Sequence, residues 1–278
     1  MQNKYIIKAT GEREEFNSQK LRSSLERSKA SPEIIEKVLT KVQEELKNGT
    51  STKDIYTRAF SLLKKEAKPA SISYSLRRAI LDLGPTGFPF EQFIAEIFKA
   101  KGFETIIDYT ARGECVEHEV DIVAWNSNQL IMTEAKFHNE PGMKSDLKVA
   151  LYINSRWEDL KNCEFSEFGP QKRKMSEGWL VTNTKFSESA IRYARCRNMT
   201  LIGWNYPKKG NLQDLIEECG LHPITCLESI TPSDEKLLMQ SGIVLCKQAR
   251  ENLDIVKQSG LSKHKITEML KEIDLIQK

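Results

Sequence analysis

The sequence predicts an α/β protein in three parts: a mostly helical front with a short β-hairpin, a mixed-sheet α/β core, and a small helical tail. Three observations predict it. Ile34, Ile35, Val38, Leu39, Val42 and Leu46 recur at helical spacing, short apolar strands crowd the stretch from 104 to 136, and helix and strand patterns alternate from there to Trp204. The 278 residues suffice for two domains of ordinary size, or for one and a half with a small appendage.

In order, a short strand at Tyr5–Ala9 turns at Gly11 into a strand-like Arg13–Phe16. Helices follow behind cap residues: Asn17 before Lys20-Leu21, Ser31-Pro32 before Glu33–Leu46, and Thr52 before Asp54–Ala67. A fourth runs from Ser71 to Leu83, and Gly84-Pro85 with Thr86-Gly87 reads as a linker. Beyond it, Phe90–Lys101 presents Phe93, Ile94, Ile97 and Phe98 on one helical face and stops at Gly102. Glu104–Tyr109, Glu119–Trp125 and Gln129–Lys136 read as strands of an antiparallel meander, with Asn126, Ser127 and Asn128 turning between the last two. Helices at Lys144–Asp159 and Ser187–Asn198 flank strands Gly178–Thr182 and Thr200–Trp204, and from Thr231 the tail is helical with breaks at Gly242 and Gly260. The expected domains are 1–84, 85–227 and 228–278.

Composition excludes several classes. No window approaches the roughly 18 apolar residues of a membrane span, and the opening apolar run covers only Tyr5–Ile7 before charge sets in, unlike a signal peptide. A soluble cytoplasmic protein with no membrane partner is expected. Six cysteines without a CxxC pair read as free thiols, and Cys219, His222 and Cys226 lack a fourth zinc ligand. A net charge of +3 is far from that of a nucleic-acid coat protein. Residues 1–84 hold 17 basic against 11 acidic residues, so any DNA groove in the core must be local.

The chemistry-bearing residues lie in EVDIVAW and IMTEAK. Strand alternation puts Glu134 and Lys136 on one face, and Asp121 on the neighbouring strand can stand opposite them across the short turn. Two carboxylates beside a lysine suit phosphodiester hydrolysis: the acids hold Mg²⁺ or Mn²⁺, while metal and ammonium neutralise the phosphorane. A buried Asp and a Glu–Lys bridge on an exposed sheet face would spell the same letters. Both acids, however, sit in apolar strands, where unpaired charge costs several kcal/mol.

At these residues the chain resembles the PD-(D/E)XK nucleases, and among them Mrr-type restriction endonucleases, over residues 88–206. FEQFIAEIFKAKGFE is similar to the family's opening helix, EVDIVAW to its Asp strand, TEAKFH to its (D/E)XK strand, and GWLVTNTKFSESAIRYARCRNMTLIGW to its later strand–helix–strand unit. The resemblance implies catalytic Glu91, Asp121, Glu134 and Lys136, with Asp121 and Glu134 as metal ligands. Val120 stands where the family name has proline, Glu96 shares the opening helix with Glu91, and His138 would face phosphate if the strand continued past Lys136.

YIIKATGEREEFNSQKLRSSL resembles the ATP-cone found at the front of ribonucleotide reductases and of their transcriptional repressor. Lys8, Gly11, Glu14-x-Phe16-Asn17-x-x-Lys20-Leu21, Thr52-x-Asp54-Ile55, and Tyr74 with Arg77 carry the likeness, and Ala9 stands where reductase cones have a second basic residue. The resemblance implies ATP or dATP bound by Lys8, Glu14, Lys20 and Thr52. Lysine ammoniums would meet phosphates, and Glu14 and Thr52 would offer hydrogen bonds. No GxxxxGK[ST] occurs, so the nucleotide is expected to regulate a homo-oligomer and not to fuel motion. The tail loosely resembles helix-hairpin-helix arrangements, with Lys247, Lys263, His264 and Lys265 available to phosphates; a helical cap or oligomerisation arm fits it equally. The function expected is a metal-dependent DNA endonuclease regulated by nucleotide. The alternative is a nucleotide-sensing DNA-binding regulator with an idle nuclease fold.

Overall fold

The computed structural model describes residues 4–84, 86–140 and 142–276. The front opens with an antiparallel pair, β1 (Tyr5–Ile7) and β2 (Arg13–Glu15), turned at Gly11, whose φ of 80° suits a residue without Cβ. α1 (Ser18–Arg27) starts where the Asn17 side chain accepts from the amides of Gln19 and Lys20. α2 (Pro32–Glu45) starts on Ser31, with Pro32 in its first turn. β3 (Thr50–Ser51) joins β1 in parallel to give the order β2-β1-β3; two residues carry no periodicity, so the sequence does not announce it. α3 (Thr52–Glu66) is capped one residue earlier than expected, by Ser51, whose Oγ accepts from the Asp54 amide at 3.0 Å.

α4 (Lys68–Leu81) is where the parts meet. Ala70 and Tyr74 belong to the core of the front domain, Ile72 and Ala79 to that of the tail, and Leu76 and Ile80, with Leu83 just past the helix, to that of the central domain. Its apolar side chains are thus shared among three cores, while Lys68 and Arg78 stay exposed. Pro85, in the expected linker, lies outside the described residues. Gly84 packs so closely that a Cβ would come within 2.7 Å of both Phe137 and Asn139.

The central domain runs α5 (Phe88–Ala100), β4 (Glu104–Arg112), β5 (Glu117–Trp125), β6 (Leu130–Lys136), β7 (Lys144–Ser145), α6 (Leu147–Leu160), β8 (Glu177–Thr182), β9 (Lys185–Phe186), α7 (Glu188–Cys196), β10 (Thr200–Ile202) and α8 (Leu212–Cys219). Five strands lie in the order β10-β8-β6-β5-β4, antiparallel from β4 to β6 and parallel from β6 to β10; β7 and β9 form a separate parallel pair. The mixed sheet is thus the α/β core the pattern predicts. The Asn126 side chain makes the β5–β6 turn by accepting from the amides of Asn128 and Gln129.

α5 and α8 cover one face through Phe93, Ile97, Leu212 and Ile216, and α6 and α7 the other through Ala150, Ile153, Ala190 and Ala194. With both faces dry, β6 stays buried from Leu130 to Ala135 and surfaces only at Lys136. Each fully buried Leu, Ile or Met of that run contributes about 1.5–3 kcal/mol.

The tail is α9 (Pro232–Gln240), α10 (Cys246–Glu251), α11 (Leu253–Gln258) and α12 (Lys263–Ile276), broken at Gly242 and Gly260 with φ of 79° and 92°. Cys226 and Cys246 meet in its core as free thiols, sulfurs 4.0 Å apart. Among the described residues no helix is long and apolar enough to cross a membrane.

Candidate active site

The β5–β6 ladder runs from Trp125↔Leu130 to Ile122↔Thr133, which brings Asp121 and Glu134 opposite each other next in register. There Asp121 Oδ2 accepts from the Ala135 amide at 2.7 Å, so a carboxylate continues what the backbone ladder began. Met132, Glu134 and Lys136 alternate onto the face packed by α6. Glu91, in the first turn of α5, lies at the same end of the sheet. A cleft of about 350 Å³ is lined by all four expected residues, Glu91, Asp121, Glu134 and Lys136, with Phe137 and Val149 beside them. Glu96 instead pairs with Lys99 at 2.7 Å and lines a different hollow.

The acids of the cleft are crowded and poorly solvated. Burial, then repulsion from Asp121, pushes the Glu134 carboxyl up to about 8, against the pull of Arg156. Burial and Asp121 likewise raise Glu91 to about 7. Burial raises Asp121 too, and the Ala135 amide and Arg156 hold it back. Asp108 and Glu119 add repulsion to both Glu91 and Asp121, and Asp108 sits in β4 with a left-handed φ of 54°.

Sequence reasoning misses Arg156. Its Nη1 stands 2.5 Å from Glu134 Oε1, a charge contact without hydrogen-bond angles, and its guanidinium lies 5.5 Å from the Tyr152 ring centroid. The signal is nonetheless present: Val149, Ile153, Arg156 and Leu160 form one helical stripe, and a cation on an apolar stripe implies a buried anion facing it. His138 does not continue the motif face, because β6 ends at Lys136. Its amide donates to Asn183 Oδ1, and its Nε2 lies 3.0 Å from Ser145 Oγ.

In the front domain, Glu14 takes both Lys8, at 2.7 Å, and Lys20, and the two ammoniums pull its carboxyl down to about 2. Thr52, the first residue of α3, makes no hydrogen bond to these three among the described residues. Lys20 also lines a cleft of about 550 Å³ with Arg27, Arg77 and the central domain's Lys185; no motif links Arg27 and Lys185 to it. In the tail, Lys247 and Lys265 pair with Glu251 and Asp234.

Comparison with known proteins gives the parts their relations. Residues 4–80 match the ATP cone domain, and the front of the chain is an ATP-cone. Residues 222–277 match the family described as AF1548-like, C-terminal. An uncharacterized protein of Archaeoglobus fulgidus is 36% identical over 180 residues, 64% of this chain and 97% of that protein. The crystal structure of the protein of unknown function AF1548 is similar at a TM-score of 0.56 and 33% identity, covering 69% of this chain and 98% of that one. The MspJI restriction endonuclease in complex with a 27-mer oligonucleotide gives a TM-score of 0.28 at 13% identity over 68% of this chain and 44% of that one, too slight a likeness to build on. Behind its ATP-cone, the chain belongs to the AF1548-like family.

Proposed function

We propose that the chain is a Mg²⁺- or Mn²⁺-dependent DNA endonuclease whose activity answers to ATP or dATP at the cone. One observation carries the reading: Glu91, Asp121, Glu134 and Lys136 line a single cleft at the end of β6, with two of the acids pushed to about 7 and 8. Hard carboxylate oxygens suit these ions, and Mg²⁺ is held through one or two carboxylates together with substrate phosphate, a part Asp121 and Glu134 would play. Bound there, the ion would supply Lewis-acid polarisation of the phosphodiester and a more acidic water. Lys136 offsets charge growing on the phosphate. Glu91, whose carboxyl burial and Asp121 push upward, can take the proton of the attacking water. Arg156 holds Glu134 in place.

The reading assigns the cone to 1–84, the nuclease domain to 85–227 and the helical tail to 228–278. Nucleotide would be held by Lys8, Glu14, Lys20 and Thr52, and a homo-oligomer would bring two centres to the two DNA strands. Plasmid incubated with Mg²⁺ and the parent chain should be nicked at least about 100-fold faster than with Asp121→Ala or Lys136→Ala. Equal nicking by all three would leave the activity to contamination and favour a DNA-binding regulator with an idle cleft.

A further inference from the structure

The cleft of about 550 Å³ lies between the cone and the central domain. From the cone, α1 gives it Lys20 and Arg27, α3 gives Tyr56 and α4 gives Arg77; from the central domain come Lys185 of β9 and Trp204. Four cations converge, and none of the lining residues is acidic. Arg27 is fixed across the boundary, its Nη1 donating to Asn205 Oδ1 at 2.7 Å. Lys20 already shares Glu14 with Lys8, but among the described residues Arg77 and Lys185 have no ion-pair partner. Burial pushes both downward, Lys185 further opposed by Arg77, Lys144, Lys20 and Lys8, and Arg77 by Arg27. Four cations gathered in a cleft this size, two of them without an ion-pair partner among the described residues, call for a polyanion. The Tyr56 ring, stacked 5.1 Å from Tyr74, supplies a flat aromatic wall suited to a base.

Lys185 also has a route to the acidic cleft. It pairs with Lys144 across the β7–β9 ladder, and the next pair is Ser145↔Phe186. Ser145 Oγ touches His138 two residues beyond Lys136, and β7 leads into α6, the helix that carries Arg156.

We propose that the nucleoside triphosphate site is shared, the cone holding the nucleotide and Lys185 of the central domain closing on its phosphates with Arg77. This rests on the cone's binding a nucleotide and is independent of whether the acidic cleft cuts DNA. A phosphate drawn to Lys185 then braces β9 and β7 together, which is how occupancy of the cone reaches the other cleft.

Calorimetric titration of the full chain with ATP, dATP and inorganic triphosphate tests it, on the parent, Lys185→Ala, Lys185→Arg, Lys20→Ala and, as a charge control outside the cleft, Lys172→Ala. Lys185→Ala should weaken ATP about tenfold or more, the loss of one charged hydrogen bond. Lys185→Arg should recover part of that, and Lys172→Ala should stay within about twofold. Inorganic triphosphate should show the same dependence on Lys185 at lower affinity, and ATP should slow amide exchange in β7 and β9. Matched melting curves exclude misfolding of Lys185→Ala, and rescue by Lys185→Arg does so independently. ATP binding unchanged in Lys185→Ala but weakened in Lys20→Ala would overturn the shared site and leave the cone reading intact. No heat from any nucleotide on the parent would overturn both.

Discussion

The two charged clefts are built in opposite ways. The acidic one takes Asp121, Glu134 and Lys136 from neighbouring strands joined by a short turn, with Glu91 from α5, one strand earlier in the chain. The basic one takes Lys20, Arg27, Arg77 and Lys185 from α1, α4 and β9, segments distant in the chain. Their electrostatics run in opposite senses as well. Burial and mutual repulsion push the carboxyls of the first upward, whereas Glu14, beside the second, is pulled down to about 2 by Lys20 and Lys8. In each cleft the fold holds like charges near one another without enough partners, an arrangement whose repulsion a ligand of opposite sign would relieve.

The sharpest test of the acidic cleft is Glu134→Gln, which keeps shape and removes charge. Mg²⁺-dependent cutting should fall by about 100-fold or more while DNA binding in a gel-shift assay is unchanged. Full activity in this variant would end the ligand role. A smaller effect is expected at Arg156, whose truncation to Ala leaves Glu134 buried without its counter-charge. Because Glu134 can take up a proton instead of staying charged, the cost should be about 1–3 kcal/mol in urea unfolding, not the full penalty of a stranded ion. The double variant Arg156→Met/Glu134→Gln should regain most of it. If Arg156→Ala is as stable as the parent, the pair does not brace the cleft.

The smallest effect concerns Glu14. Its folded carboxyl, about 2 against an ordinary 4.5, binds fewer protons than the unfolded chain between those values. It therefore adds stability above pH 4.5 that is lost as pH falls through about 2. A Glu14→Gln chain should melt lower than the parent at pH 6, and the gap should narrow steadily below pH 4.5. A gap that does not change over that range would mean the lysines are not holding Glu14 in solution.

Much of the fold can be read from the chain because local rules act there. Ser31-Pro32 starts α2, the Asn126–Asn128 turn closes β5 on β6, and Gly242 and Gly260 end tail helices by allowing positive φ. The same holds for Glu134 and Lys136, whose shared face follows from the two-residue period of a strand. β3 and the β7–β9 pair are not legible, since two-residue strands exist only by virtue of their partners.

What the sequence by itself determined, then, is the α/β class, the order of the elements and the trio Asp121, Glu134 and Lys136 on adjacent strands, because hydrophobic period and turn chemistry act over a few residues. Only the tertiary structure decided that Arg156 faces Glu134, that α4 is shared by three cores, and that Lys185 stands over the cone beside Arg77. Those contacts join segments far apart in the chain, and side-chain spacing within one element carries no information about which distant surface will cover it.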